Sequence, residues 1–257
     1  MRKNTIVRER KMLNIISSVP APIKRFSKNF EEVFGKHQLE NFQTYLLGLC
    51  LELKRKNLQA IGNCKLKGNY DSLHHFLSQS SWDEEKLNEK RLKLIQRDRR
   101  TRTSQKGALI IDDTGCKKTG TYTEGAKPQR LGSEGRITNC NIVVTSHYVD
   151  ETKDFPISLV PYIPQDKFKK KETPSEFHTK IDFAIELIKD ALQKGIQFRE
   201  VLIDNRYLCK KVVGFCERKN LYWFSNLKRN DILLPKEKKE KSKESEKARK
   251  KENKKVS

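Results

Sequence analysis

Ala108-Leu-Ile-Ile-Asp-Asp-Thr-Gly115 is the stretch on which the reading of this chain turns. Four apolar residues in succession fit a central strand covered on both faces, and the run stops at two carboxylates. A second run of the same kind, Glu200-Val-Leu-Ile-Asp204, also ends in an aspartate. Between them the sequence alternates in character. A glycine-rich basic loop comes first, with Gly115, Lys117, Lys118, Gly120, Gly125, Arg130, Gly132 and Gly135. Two strand candidates follow, at 137–149 and 155–163. A polar link with Pro164 and Pro174 then leads into an amphipathic helix. Its apolar face is Ile181, Ile185, Ile188 and Leu192, and Gly195 is its stop.

Beyond Asp204 the pattern predicts a helix over 207–219 and a last strand over 221–226. Three meandering strands followed by helical crossovers predict an α/β fold with a mixed sheet flanked by helices. That is the element order of an RNase H-like core. Upstream of Ala108 the chain reads as helical. Phe30, Phe34, Leu39, Phe42, Leu46, Leu49 and Leu53 recur at helical spacing between about 28 and 58. A second helix is expected over 71–79. A third opens at Ser81-Trp-Asp-Glu84, where Ser81 and Glu84 have capping-box spacing, and carries a stripe of Leu87, Arg91, Leu94 and Ile95. The organisation expected is a basic helical region at 1–107, the RNase H-like core at 108–234 and a charged low-complexity tail at 235–257. The tail has nothing apolar to pack.

The 257 residues include 55 Lys and Arg against 33 Asp and Glu, a net charge of +22. Residues 236–255 account for +6 of this, so the body of the chain carries +16 by itself. Such a balance is the footprint of a polyanion partner, nucleic acid above all. Arg97, Arg99, Arg100 and Arg102 read as a solvated hinge or a phosphate-contacting strip, and Lys117, Lys118 and Arg130 as further phosphate contacts. Trp82, Tyr222 and Trp223 have rings that stack on bases, but Trp223 lies in an apolar run that reads as core. No run approaches ~20 apolar residues, so no membrane span or membrane partner is expected. Met12–Ala21 reads as a surface segment rather than a secretion signal, because Asn14, Ser17 and Ser18 interrupt it. The expected location is the cytoplasm, with the nucleoid. The six cysteines form no C-x-x-C pair, and the five histidines form no H-E-x-x-H cluster, which argues against zinc.

A lone aspartate at a strand end commonly caps a turn. Asp113, with Asp112 before it, and Asp204 end strands that this topology makes neighbours. Magnesium requires hard oxygen ligands, and two ions ~3.5–4 Å apart serve both the attacking and the leaving oxygen of a phosphodiester. Carboxylates from separate strands supply such ligands. Strand alternation puts Asp112 and Asp113 on opposite faces, so both cannot ligate without distortion.

The chain resembles the DDE-class insertion-sequence transposases, in the group with an Asp-Asp-Thr-Gly first motif. The resemblance rests on an ordered set of short matches across about 28–226. They begin with Tyr45-Leu-Leu-Gly-Leu49 and Arg55-Lys-Asn57, then Leu73-His-His-Phe-Leu-Ser78 and Ser81-Trp-Asp83. Next come Leu109-Ile-Ile-Asp-Asp-Thr-Gly115 with Lys117-Lys118, and Gly135 with Asn139-Cys140. The set closes with Tyr162-Ile-Pro164, Phe177-His-Thr-Lys180, and Val201-Leu-Ile-Asp204 with Tyr207. The resemblance implies a helical DNA-binding region before an RNase H-like core. It implies Mg²⁺- or Mn²⁺-dependent cleavage and strand transfer at transposon ends, on double-stranded DNA. By motif position Asp113 is the first catalytic and metal-binding aspartate, with Asp112 the alternative, and Asp204 is the second.

Two departures stand beside the resemblance. The third carboxylate of the family, a Glu on a later helix, has no counterpart, since Glu217 follows Asp204 too closely. Glu237, Glu240, Glu244, Glu246 and Glu252 lie in the low-complexity tail. The second aspartate also sits in Asp-Asn-Arg-Tyr207 rather than among small residues. The expectation is a C-terminally truncated copy that binds its metal weakly or not at all. It would be active only if a partner chain (a second copy or an intact transposase) or readthrough into a split reading frame supplied the missing Glu, or else persist as an inactive remnant competing for DNA. A third class, a basic RNA-associated protein, fits less well, because carboxylates in a binding face repel phosphate.

Overall fold

The computed structural model describes residues 18–227, apart from 52, 54, 64–68, 121–122, 124 and 166–176. Cys64, Pro174, most of Met12–Ala21 and the charged tail lie outside the described residues. Among the described residues no helix is long and apolar enough to cross a membrane. The chain divides between Thr103 and Ser104 into two compact units.

The first unit is helical. Helix α1 spans Ala21–Ser27 and runs into a 3₁₀ turn at Lys28–Phe30. Helices α2 (Lys36–Cys50), α3 (Leu58–Gly62), α4 (Tyr70–Ser78) and α5 (Glu84–Arg97) follow. The single helix expected over 28–58 is therefore broken, and the chain turns at 31–35 before α2 begins. The break lets Phe30 and Phe34 fold back against Phe76, with Phe42, Trp82, Leu87 and Leu94 around them. Phe34 meets Phe42, Phe76 and Trp82 at ring separations of 4.8, 5.6 and 5.6 Å. Burying each such ring stabilises the unit by roughly 1.5–3 kcal/mol. Trp82 is thus partly buried against this core, and its indole N–H donates to the Phe76 carbonyl at 3.0 Å. The helix cap also differs from expectation. Asp83, not Ser81, is the N-cap of α5 and accepts from the Lys86 N–H at 2.8 Å. The carboxylate serves the helix end more strongly than a hydroxyl because it also opposes the macrodipole.

The second unit is built on a six-stranded sheet. Its strands are β1 (Ala108–Lys117), β2 (Lys127–Leu131), β3 (Arg136–Val149), β4 (Asp154–Tyr162), β5 (Glu200–Ile203) and β6 (Tyr222–Ser225). The order is β2-β3-β1-β5-β6, with β4 also on β3. The edge of β3 away from β1 is shared end to end, by β2 along 136–140 and by β4 along 142–149. Strands β1, β3 and β4 are antiparallel neighbours, whereas β5 and β6 join in parallel. Helix α6 (Lys180–Gln193) connects β4 to β5, and α7 (Lys210–Arg218) connects β5 to β6. Parallel neighbours need such crossovers. The mixed α/β sheet flanked by helices expected from the element order is the fold observed.

One face of the sheet is covered. Leu109 and Ile111 of β1 sit in register with Tyr148 and Ser146 of β3 and with Val201 and Ile203 of β5, and all are nearly or fully buried. Ala184, Leu187, Ile188 and Ala191 of α6 are buried with them. The helix ends where expected, at Gly195, whose φ of 73° is left-handed. The Ile196 N–H donates to the Ala191 carbonyl at 3.0 Å and the Gly195 N–H to Leu192 at 3.1 Å, a Schellman closure. Strand β2 had no signature in the sequence, because Lys127-Pro-Gln-Arg lacks apolar alternation. Its Leu131 packs over Gly115, where an added Cβ would stand 2.2 Å from the leucine methyl. Trp223, expected in the core, is exposed, as are Tyr222 and Phe224 on the opposite face, because among the described residues no element buries either face of β6.

Candidate active site

Strand β1 outlasts β5. Their pairing ends at Ile111 and Ile203, whereas β1 continues against β3 to Lys117. The carboxylates expected at the end of β1 therefore stand mid-strand, beside the notch where β5 leaves the sheet at Asp204. Asp113 shares the covered face with Leu109 and Ile111, opposite the fully buried Val144. Its side chain is only 4% exposed. Asp112 points to the other face and is exposed, and its Oδ1 accepts from the Asp113 N–H at 2.7 Å.

The turn after β5 brings in a cation. The Tyr207 N–H donates to the Asp204 carbonyl at 2.9 Å, which places Asn205 and Arg206 at the corner. The Asn205 N–H donates to Asp204 Oδ1 at 2.6 Å. Arg206 folds back so that its Nε donates to Asp204 Oδ2 at 2.8 Å. Its Nη2 stands 3.0 Å from Asp113 Oδ1. The second contact is an ion pair without hydrogen-bond alignment, so that buried oxygen accepts no hydrogen bond. One guanidinium thus spans both aspartates. Lys180 supplies the second cation, with Nζ 2.5 Å from Asp113 Oδ2. It is the first residue of α6, directly after the N-cap Thr179, which forms a capping box with Asp182. Its ammonium lies 5.3 Å from the centre of the Tyr162 ring.

These contacts set the electrostatics. The hydrogen bond from Arg206 holds the Asp204 carboxyl below the usual carboxylate range, and Asp204 in turn raises the Arg206 guanidinium. Burial pushes the Tyr207 hydroxyl well up, and the charges of Asp113 and Asp112 add to the effect. That hydroxyl is buried without a hydrogen-bond partner. An uncompensated carboxylate as buried as Asp113 would cost several kcal/mol. Two anions facing two cations remove most of that cost.

Among the described residues no group of three or more His, Cys, Asp or Glu side chains is gathered as for a metal. Asp113 and Asp204 nevertheless fit a hard divalent ion in donor type. They converge to the span of a guanidinium, and one buried Asp113 oxygen still lacks a hydrogen bond. They form part of a ligand set rather than a whole one.

The basic residues divide between the units. Arg97, Arg99, Arg100 and Arg102 are exposed in the first unit, and Arg100 pairs with Asp98 at 3.2 Å. In the second unit Lys117 pairs with Glu134 at 3.2 Å, and Arg130 is exposed on β2. Lys118 is half-buried, its backbone N–H donating to the Asn139 carbonyl at 2.8 Å.

The sequence matches the family described as DDE superfamily endonuclease over residues 29–256. The chain belongs to that family. It is also 33% identical over 202 residues to the probable transposase for insertion sequence element IS701 of Microchaete diplosiphon, across 77% of this chain and 52% of the relative. The cryo-EM structure of a piggyBac transposase synaptic complex with hairpin DNA aligns with a TM-score of 0.41 at 10% identity, covering 79% of this chain and 44% of that one. The chain spans about half the length of these relatives. The resemblance to DDE-class insertion-sequence transposases is thereby borne out. In this DDE endonuclease chain, three residues beside the aspartates had no role in the sequence reading. Lys180 and Tyr207 stood in the matched motifs without one, and Arg206 marked only a departure. A cation that follows a site aspartate by two residues at a strand-ending turn is the signal that reveals such a partner.

Proposed function

We propose that this chain carries the catalytic face of an insertion-sequence transposase that cuts and joins DNA strands at the element's ends, with Asp113 and Asp204 as magnesium ligands. The observation that carries the reading is the shared guanidinium. Two aspartates remote in sequence approach closely enough for one arginine to contact both. Asp113 rather than Asp112 is the proposed first ligand, because Asp113 shares Arg206 with Asp204. Bound magnesium would polarise the phosphodiester and activate the attacking oxygen. The chain's own residues prepare for this. Lys180 fixes Asp113 through its Oδ2, and the Asn205 N–H fixes Asp204 through its Oδ1. The exposed arginines of the first unit, with Arg130, hold DNA by its phosphates. The third carboxylate is supplied by another chain. Without it, the chain by itself does not nick.

The test is a nicking assay on element-end duplex with Mg²⁺ or Mn²⁺, alone and with the longer relative added. Activity in the mixture should fall at least a hundredfold with Asp113→Asn or Asp204→Asn, and much less with Asp112→Asn. Equal loss with Asp112→Asn would move the first ligand to that residue. No loss with any of the three would remove the reading. A second reading is favoured by the charge balance at the site, where two cations neutralise both aspartates. On it the chain binds DNA without cutting and competes with an intact transposase. Undiminished DNA binding with no nicking in any mixture is its expected signature.

A further inference from the structure

Resting on the reading of the aspartate pair as a cation site, we propose that Arg206 is a displaceable counter-ion. Its guanidinium holds the place between Asp113 and Asp204 that a divalent cation takes, and it leaves when a DNA phosphate captures it. The two cations at the site differ in a way that points to Arg206 as the one that moves. The Lys180 side chain is 29% exposed and lies by the Tyr162 ring, whereas that of Arg206 is 61% exposed. Arg206 occupies the corner of the Asp204–Tyr207 turn, so its side chain swings outward by rotation about its own bonds. Asp204 stays in place when it does, because the Asn205 N–H still holds Oδ1 at 2.6 Å. Asp113 stays because Lys180 still holds Oδ2. Two oxygens are left facing the space the guanidinium gave up, Oδ2 of Asp204 and Oδ1 of Asp113. The latter accepts no hydrogen bond even now.

Charge sets the order of events. With Arg206 in place the charges of Asp113 and Asp204 are matched by two cations and only the neighbouring Asp112 is left over, so an approaching divalent ion meets a weakened attraction and a guanidinium that repels it. Withdrawing Arg206 leaves the aspartate pair and Lys180 with one negative charge, to which Asp112 adds a second. A guanidinium is weakly hydrated and grips a phosphate with two parallel hydrogen bonds, so a DNA backbone passing the site is a competent acceptor for it. The exchange couples the two ligands: DNA favours the metal, and the metal favours DNA.

The experiment uses the full chain and Mn²⁺ as probe, following loss of the free-ion electron paramagnetic resonance signal. Melting curves establish that each variant is folded. Without DNA, Arg206→Gln should bind Mn²⁺ at least tenfold more tightly than the unaltered chain. A short duplex should tighten Mn²⁺ binding by the unaltered chain and leave Arg206→Gln unchanged. Adding Asp204→Asn to Arg206→Gln should abolish the gain. Equal, measurable affinities with and without Arg206 overturn the counter-ion role while leaving the pair a cation site. No Mn²⁺ binding by either folded protein overturns both. A gain that survives Asp204→Asn places the ion elsewhere and overturns the proposal. Failure of the duplex to tighten binding overturns the hand-over to phosphate.

Discussion

Lys180 Nζ stands 2.5 Å from Asp113 Oδ2, on a carboxylate that is 4% exposed, and the two residues come from the start of α6 and the middle of β1. The pair ties the helix to the strand at the point where the sheet carries its buried charge. Lys180→Met leaves Asp113 with only the unaligned Arg206 contact. The expected loss is about 1–3 kcal/mol, less than for a wholly orphaned ion because Arg206 remains. Asp113→Asn in the same chain should recover part of it. Denaturant unfolding of the two single variants and the double variant gives the coupling energy. A coupling near zero would show that the contact does not hold the two elements together.

Acid should weaken the second unit in a defined window. Lys211, together with Thr179, holds the Asp182 carboxyl well below the usual carboxylate range, and Arg206 lowers that of Asp204. A group lowered in the folded state binds fewer protons folded than unfolded. Its contribution is therefore complete above the unfolded pKa and lost as pH falls through the folded one. Stability should be level from neutral pH to about 5 and decline below about 4. Asp182→Asn should be less stable at pH 7, with the difference shrinking as the acid is increased. Urea titrations at a series of pH values measure this, and a difference that stays constant down to pH 2 contradicts the assignment.

DNA binding by the body of the chain should fall steeply with salt. Each phosphate neutralised contributes about −0.9 to the log–log slope. Replacing Arg97, Arg99 and Arg102 together with alanine should make the slope shallower by about two to three if all three contact phosphates. Fluorescence anisotropy with a labelled duplex between 50 and 300 mM salt reads it, and an unchanged slope would take these arginines out of the interface.

Gly195→Ala should cost about 1 kcal/mol, because the residue ends α6 at a φ of 73° where a Cβ is strained. Nothing lies within 4 Å of the Cβ it would gain, so the cost is conformational rather than steric. Thermal unfolding compared with the parent chain tests it, and an unchanged midpoint would show that the turn relaxes.

Much of this protein was legible from local pattern. The runs Ala108–Ile111 and Val201–Ile203, the amphipathic stretch that became α6 and the Gly195 stop each express one short-range rule, burial on both faces, helical spacing or a left-handed φ. The break between Phe30 and Lys36 was hidden, because two short helical pieces share the spacing of one long helix. Strand β2 was hidden because a polar edge strand with Pro128 has no apolar alternation. Trp223 was misplaced because exposure depends on whether another element packs over that face of the strand.

The sequence by itself determined the order of the core elements other than β2, the mixed sheet and the two strands that lead to Asp113 and Asp204, since periodicity and local propensity act over a few residues. Only the tertiary structure decided that Asp113 lies buried and mid-strand, that Lys180 arrives from α6, and that one Arg206 guanidinium reaches both aspartates. Those facts depend on where β5 stops against β1 and on the direction of a turn. Coulombic pairing between residues far apart along a chain is set by that geometry, which no short window of sequence contains.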